Sequence, residues 1–325
     1  MKPPYRLYGA ELSPYSVKVR AYLRWKDIPH EWIVRNAARQ AEFQHYAKLP
    51  LIPLLVCADD GAFQDSTPII EKLEQAHPAP RLAPDDPVLG FLDALIEDYA
   101  DEWLNKAMFH YRWTRPIDQE SGARRIAAMM ANDDMDRTLV EAAVRERMTG
   151  RLHFVGSSAE TAPIIEDAYL RFLAALEAHL GDKRDYLFGA HPTLADFGVY
   201  GQLYELLSDP TPGALMRERA PCAVRYVERM DHPEGKGALE PLDALLPTLK
   251  PILAEIGRVY PSWMEANAAA IAANAETMTA RIAGADFPQA PQKYAARAWA
   301  EIKQKRAAVS DARLDAILKD ADVAL

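Results

Sequence analysis

The chain has 325 residues, more than a single hydrophobic core usually organises, so roughly two domains are expected. Its 38 Lys and Arg stand against 47 Asp and Glu, a formal charge of −9 that offers no broad positive field to a phosphate backbone, so nucleic acid is not an expected partner. No long uncharged apolar run and no signal-like opening stretch occur, and Cys57 and Cys222 fit neither a disulfide scaffold nor a zinc spacing; no membrane, no metal and a reducing cytoplasm are the expectations.

In chain order, residues 5–9, 30–34, 51–56 and 62–65 read as short strands and 14–27, 37–47 and 67–76 as helices, giving βαβαββα. The first strand, helix and strand form a right-handed parallel crossover. The last two strands are joined through Asp60-Gly61, which supplies the positive φ angles of a tight hairpin. The first domain therefore spans residues 1–78 and carries a mixed four-stranded sheet.

Four prolines in "HPAPRLAPDDP" mark a linker, placed at 79–86. Helical spacing follows over 87–115, 119–148, 162–180, 193–207 and 221–230, an all-helical second domain at 87–239. Residues 240–256, 262–283, 290–308 and 311–321 read as four more helices, an extension at 240–325 that packs on the bundle because an amphipathic face must be buried. The second of these is alanine-rich and of high helical propensity.

Three places in the first domain carry chemistry. Ser13 in "SPYS" stands between a strand and a helix whose first position is Pro14, the place of an N-cap. Pro53 in "LIPLL" forfeits a ladder hydrogen bond and so implies an edge or a cis peptide, exposing the backbone of Ile52 to an extended peptide. Asp65, Ser66, Thr67 and Pro68 precede a helix whose free N–H groups suit a carboxylate. Capping or an ordinary strand start explains each singly; their order on one βαβαββα frame is what informs.

That combination, with the helix-capping box "HPTLADF" built from Thr193 and Asp196, resembles the cytosolic glutathione transferase family over about residues 4–232. The resemblance implies an α+β thioredoxin-like domain followed by an all-α bundle, a cytoplasmic homodimer, and glutathione as co-substrate. It places Ser13 at the glutathione sulfur, Pro53 and Ile52 at the cysteinyl backbone, and Asp65 and Ser66 at the γ-glutamyl end. Many members carry a polar residue beside the Ile/Val-Pro pair for the glycyl end; here that place is Leu51, and Lys48, His45 or Arg39 would substitute.

A thiol of pKa about 8.5 is only slightly ionised at neutral pH. Lowering it by about two units takes roughly 2.7 kcal/mol of preference for the anion. A hydroxyl donating to a charged sulfur contributes about 1.5 to 3 kcal/mol, and a helix N-terminus about 0.3 to 1 kcal/mol more. Ser13 suffices for thiolate stabilisation, with Ser16, one turn along, as a second donor. Serine forms no mixed disulfide, so the sequence favours attack on an electrophilic carbon over reductase chemistry.

The electrophile is expected between the domains, against a hydrophobic wall of Tyr15, Tyr99, Trp103 and Tyr111; the same aromatic spacing also serves core packing. Glu97, Asp98, Asp101 and Glu102 form either a solvated face or an inter-domain hydrogen-bond partner, and His110 reads as structural. Three functions remain open: a glutathione transferase acting on a hydrophobic electrophile, an etherase-like or dehalogenase-like variant, and a non-enzymatic binder of a ligand or protein. Tyr260, Trp263 and Trp299 of the extension either fold over the cleft, buttress the bundle or extend a dimer interface.

Overall fold

The computed structural model of the chain describes all residues except 132–134 and 182. Its first domain runs β1 (Tyr5–Gly9), α1 (Pro14–Trp25), β2 (His30–Val34), a 3-10 turn at Ala37–Arg39, α2 (Gln40–Tyr46), β3 (Leu54–Val56), β4 (Ala62–Gln64) and α3 (Ser66–Ala76). The sheet order is β2-β1-β3-β4, with β1 and β2 parallel and the other pairs antiparallel, so Leu7 lies opposite both Trp32 and Leu55.

Both faces of this sheet are covered, and strand alternation decides which residue goes where. Tyr5, Leu7 and Leu55 join Val17 of α1 and Ile69 of α3 in the main core, while Tyr8, Leu54 and Val56 pack with Phe43 of α2 on the opposite side. The β3–β4 connection departs from a two-residue hairpin. Asp60 alone takes the left-handed conformation, at φ 60°, after a turn closed by its N–H on the Cys57 carbonyl.

The second domain begins with α4 (Pro87–Tyr99), capped by Asp86, whose side chain accepts from the Val88 N–H at 2.9 Å. The expected helix over 87–115 is interrupted by a π-helical turn at Ala100–Leu104 before α5 (Asn105–Thr114). The helix expected over 119–148 becomes α6 (Pro116–Met130) and α7 (Arg137–Thr149); its residues 132–134 lie outside the described ones. Then come α8 (Ala162–Leu180), α9 (Leu194–Ser208), α10 (Pro210–Arg219) and α11 (Pro221–Asp231).

Central α9 opens on the capping box read from the sequence: Asp196 accepts from the Thr193 N–H at 2.8 Å and from the Leu187 N–H at 2.8 Å. Gly201 brings this helix against the start of α1, since a Cβ there would stand 2.6 Å from the Pro14 carbonyl oxygen. The N-terminus of α1 is thereby held at the junction of the domains.

The extension is not purely helical. The helices expected over 240–256 and 262–283 are one, α12 (Leu242–Ala272), which contains Pro247, Pro251 and Pro261. Each proline forfeits a helix hydrogen bond, but a long apolar face including Leu249, Ile256, Tyr260 and Trp263 is fully buried against the bundle and outweighs that loss. Residues 278–283, expected as the end of the second helix, instead open a hairpin, β5 (Met278–Ile282) and β6 (Ala285–Gln289), turning through Ala283 and Gly284 at φ 49° and 83°. Then follow α13 (Lys293–Ala307) and α14 (Ala312–Asp320). Gln289 locks the hairpin down: its Oε1 accepts from the Lys106 ammonium and the Trp263 indole N–H, both at 3.0 Å. Among the described residues no helix is long and apolar enough to cross a membrane.

Candidate active site

Ser13 has extended backbone and caps α1, with Pro14 in the first turn. Its half-buried Oγ accepts from the Ser16 N–H at 3.3 Å and from the buried Ser16 hydroxyl at 2.9 Å. Two donors thus occupy the acceptor side of Ser13, and its own proton remains to be given. Next to it, Tyr15 turns to the bundle: its hydroxyl donates to the Asp101 carbonyl at 3.0 Å and accepts from Asn105 Nδ2 at 2.9 Å. Burial pushes the Tyr15 phenol well up.

Before β3, the Ile52-Pro53 peptide is cis. The loop leading to it is fastened by Gln64 of β4, a residue the sequence reading passed over. Its Oε1 accepts from the Lys48 and Leu49 N–H groups at 2.9 and 3.0 Å, and its Nε2 donates to the Leu49 and Leu51 carbonyls at 2.8 Å. A glutamine at the end of a short strand opposite an irregular loop was the available signal. Leu51 itself is exposed.

Asp65, between β4 and α3, adopts φ 81° and ψ 128°, a strained conformation for a residue with a side chain. Its side chain does not cap α3 and is turned elsewhere. Ser66, the first residue of α3, is buried. Burial raises the Asp65 carboxyl, against a hydrogen bond from Tyr294 and the charges of Lys18 and Arg297.

A cleft of about 560 Å³ opens beside Asp65. Lys48 and Asp65 line it, whereas Ser13, Ser16, Ile52, Pro53 and Ser66 do not. Its inner wall is the carboxylate group Glu97, Asp98, Asp101 and Glu102, placed by the end of α4 and the π-helical turn. These four are buried, so they are not a solvated face; Glu97 and Asp101 instead reach across the domain junction to Lys18 of α1. The Lys18 ammonium, fully buried, donates to Glu97, to Asp101 at 2.6 Å and to the Thr67 hydroxyl at 3.0 Å.

One ammonium serves several carboxylates here, and the electrostatics follow. Burial opposes the Lys18 charge, but Asp101 and Glu97 outweigh it and the pKa rises. Burial pushes Asp101 up to about 7, with Lys18 drawing it back, and holds Glu102 well above the carboxylate range beside Asp98 and Asp101.

The aromatic residues expected to wall a substrate pocket are elsewhere. Tyr99, Trp103 and Tyr111 are buried and do not line the cleft. Tyr99 meets Tyr260 and Phe172, Trp103 meets Trp263 and Phe287, and Tyr111 meets Tyr169, at centroid distances of 5.3–6.1 Å. The extension covers the face of the bundle that the sequence left for an electrophile. His110 is satisfied on both nitrogens, by Ser157 at 2.8 Å and Glu166 at 3.0 Å.

A thioredoxin-like sheet domain, strained at Asp65 and joined to an all-helical bundle, defines the class. The chain belongs to the glutathione S-transferase family: residues 7–81 match the sequence model described as "Glutathione S-transferase, N-terminal domain" and residues 141–229 that described as "Glutathione S-transferase, C-terminal domain", together just over half of it. It is 22% identical over 186 residues to a probable glutathione S-transferase, GSTU6, of Oryza sativa subsp. japonica, spanning 55% of this chain and 76% of that one. It is 34% identical over 84 residues to glutathione S-transferase omega-2 of Homo sapiens, spanning 25% of this chain and 34% of that one. Among solved structures, glutathione transferase GSTFuA3 from Phanerochaete chrysosporium superposes with a TM-score of 0.50 at 16% identity, over 73% of this chain and 100% of that one, a likeness of fold.

Proposed function

We propose that this chain is a glutathione transferase in which the Ser13 hydroxyl stabilises the glutathione thiolate for attack on an electrophilic carbon. The observation that carries the reading is the state of Ser13 Oγ: it accepts from two groups of Ser16 at the N-terminus of α1, which polarises its O–H and leaves the proton for an anion. The helix N-terminus adds a partial positive charge at the same place. Asp65 and Ser66 would take the γ-glutamyl end, the Ile52 backbone beside Pro53 the cysteinyl amides, and Lys48 the glycyl carboxylate. Thiolate formation and bond formation then share one site, the electrophile's leaving group departing as the C–S bond forms.

The test pairs retention on immobilised glutathione with turnover of a generic aryl halide, for wild type and Ser13→Ala. Retention with turnover that falls in Ser13→Ala supports the reading. Wild type that neither binds nor turns over, or a rate unchanged in both Ser13→Ala and Ser16→Ala, overturns it.

A further inference from the structure

Helix α13, far along the chain from the sheet domain, closes the outer side of the cleft. Tyr294, Arg297 and Lys305 line it. The Tyr294 hydroxyl donates to Asp65 Oδ1 at 3.0 Å, Arg297 Nη2 lies 3.9 Å from Asp65 Oδ2, and Lys305 Nζ lies 3.8 Å from Glu71 of α3.

This wall is held firmly. Asn267 of α12 grips the residue before α13 in both directions, accepting from the Gln292 N–H at 2.7 Å and donating to its carbonyl at 2.9 Å. About two turns further on, the buried Trp299 indole donates to Glu265 at 2.7 Å and sits edge-on to Tyr260. Tyr294 and Arg297, between these two anchors, are therefore presented to the cleft by a rigid helix.

The γ-glutamyl residue of glutathione keeps a free α-amino acid head, an ammonium and a carboxylate on one carbon. Asp65 and Arg297 present the complementary pair, opposite charges 3.9 Å apart at the cleft wall. The Arg297 side chain is 66% exposed, and a pair 3.9 Å apart with so exposed a cation contributes little to folding, so it opens readily to a ligand. A guanidinium also matches a carboxylate bidentately, which a lysine does not. Of Lys48, Arg297 and Lys305, the cations lining the cleft, Lys305 faces Glu71 and Arg297 is the one paired with Asp65.

We propose that α13 supplies half of the recognition of the tripeptide's amino-acid head: Arg297 binds the γ-glutamyl α-carboxylate while Asp65, oriented by Tyr294, binds the ammonium. This rests on the glutathione reading of the site and extends it to a segment outside both matched family domains.

Calorimetric titration of the full chain with three peptides tests it: glutathione, 4-aminobutyryl-cysteinylglycine, which keeps the ammonium and lacks the carboxylate, and glutaryl-cysteinylglycine, which keeps the carboxylate and lacks the ammonium. Arg297→Gln is expected to weaken glutathione and the glutaryl peptide by about tenfold or more, to leave the aminobutyryl peptide unchanged, and to be partly rescued in Arg297→Lys. Tyr294→Phe is expected to weaken the two ammonium-bearing peptides only. Arg297→Gln weakening all three peptides equally, or none of them, overturns the proposal while leaving the glutathione reading standing. Wild type that binds none of the three overturns both.

Discussion

The Ser16 hydroxyl donates to Ser13 Oγ across 2.9 Å, within the first turn of α1. With the Ser16 N–H also on that oxygen, Ser13 has its proton left to offer, and an anion is the partner that gains most from it. Ser13→Ala is expected to lower kcat/KM about 10- to 100-fold, the worth of a hydrogen bond to a charged group, and to raise the thiol pKa of bound glutathione. Ser16→Ala removes a supporting donor and should cost less. Ultraviolet titration of the bound thiolate in wild type and both variants is the measurement; an unshifted titration in Ser13→Ala would refute the role given to the hydroxyl.

Replacing that oxygen by sulfur changes the reaction available. In Ser13→Cys the new thiol stands at a helix N-terminus, an environment that favours thiolate. It should attack oxidised glutathione, forming a protein–glutathione disulfide and releasing one glutathione as thiolate. Intact-protein mass spectrometry after incubation with oxidised glutathione should show one adduct in the variant and none at residue 13 in wild type. A variant that stays unmodified would mean that residue 13 does not face the tripeptide's sulfur.

Lys18 of α1 ties the sheet domain to the bundle. Its ammonium is fully buried, with Glu97 and Asp101 as its charged partners. Removing the cation strands buried carboxylates, and breaking such a group typically costs about 3 to 5 kcal/mol. Lys18→Met should lose that much in urea unfolding, and Lys18→Met with Glu97→Gln and Asp101→Asn should recover a large part of it, because the stranded charges are gone. Equal loss in the single and triple variants would show that packing, not charge, fixes this junction.

How far each feature could be read from sequence depends on how local its cause is. β1, α1 and Ser13 were legible because a strand pattern, a cap and a proline lie within a few residues of each other. The Thr193–Asp196 box was legible for the same reason. Tyr99 and Trp103 were not, since the same i, i+4 spacing serves a pocket wall and a core. What decides between them is Tyr260 and Trp263, about 160 residues further on. The β5–β6 hairpin was hidden by the alanine-rich run before it, although Met278–Ile282 buries alternate residues and ends at Ala283-Gly284, a strand and turn signal. The contact of Tyr294 with Asp65 spans 229 residues and has no local signature at all.

Asp98 gives the stability a pH dependence of definite sign. Its Oδ2 accepts from the Tyr260 hydroxyl at 2.6 Å, tying α4 to the extension. Burial pushes its pKa up to about 8; the Tyr260 hydrogen bond opposes this, while Glu97 and Asp101 add to it. In the unfolded chain the same group titrates near 3.9. Between those two values the native state holds a proton that the unfolded state has released, so the contribution is present in full below about pH 4 and is lost as pH rises through about 8. Histidines lowered by burial, such as His110 and His179, run the opposite way, so the absolute trend mixes signs. The difference between wild type and Asp98→Asn does not, because those groups are common to both chains. Asparagine keeps an acceptor for Tyr260 and cannot ionise. Relative to wild type, Asp98→Asn should therefore gain Tm steadily from about pH 4 to about pH 8 and level off above that, by an amount on the order of a few kcal/mol in stability. Parallel Tm profiles for the two proteins would mean that Asp98 is already ionised at neutral pH, stabilised by its hydrogen bond from Tyr260 more strongly than burial disfavours the charge.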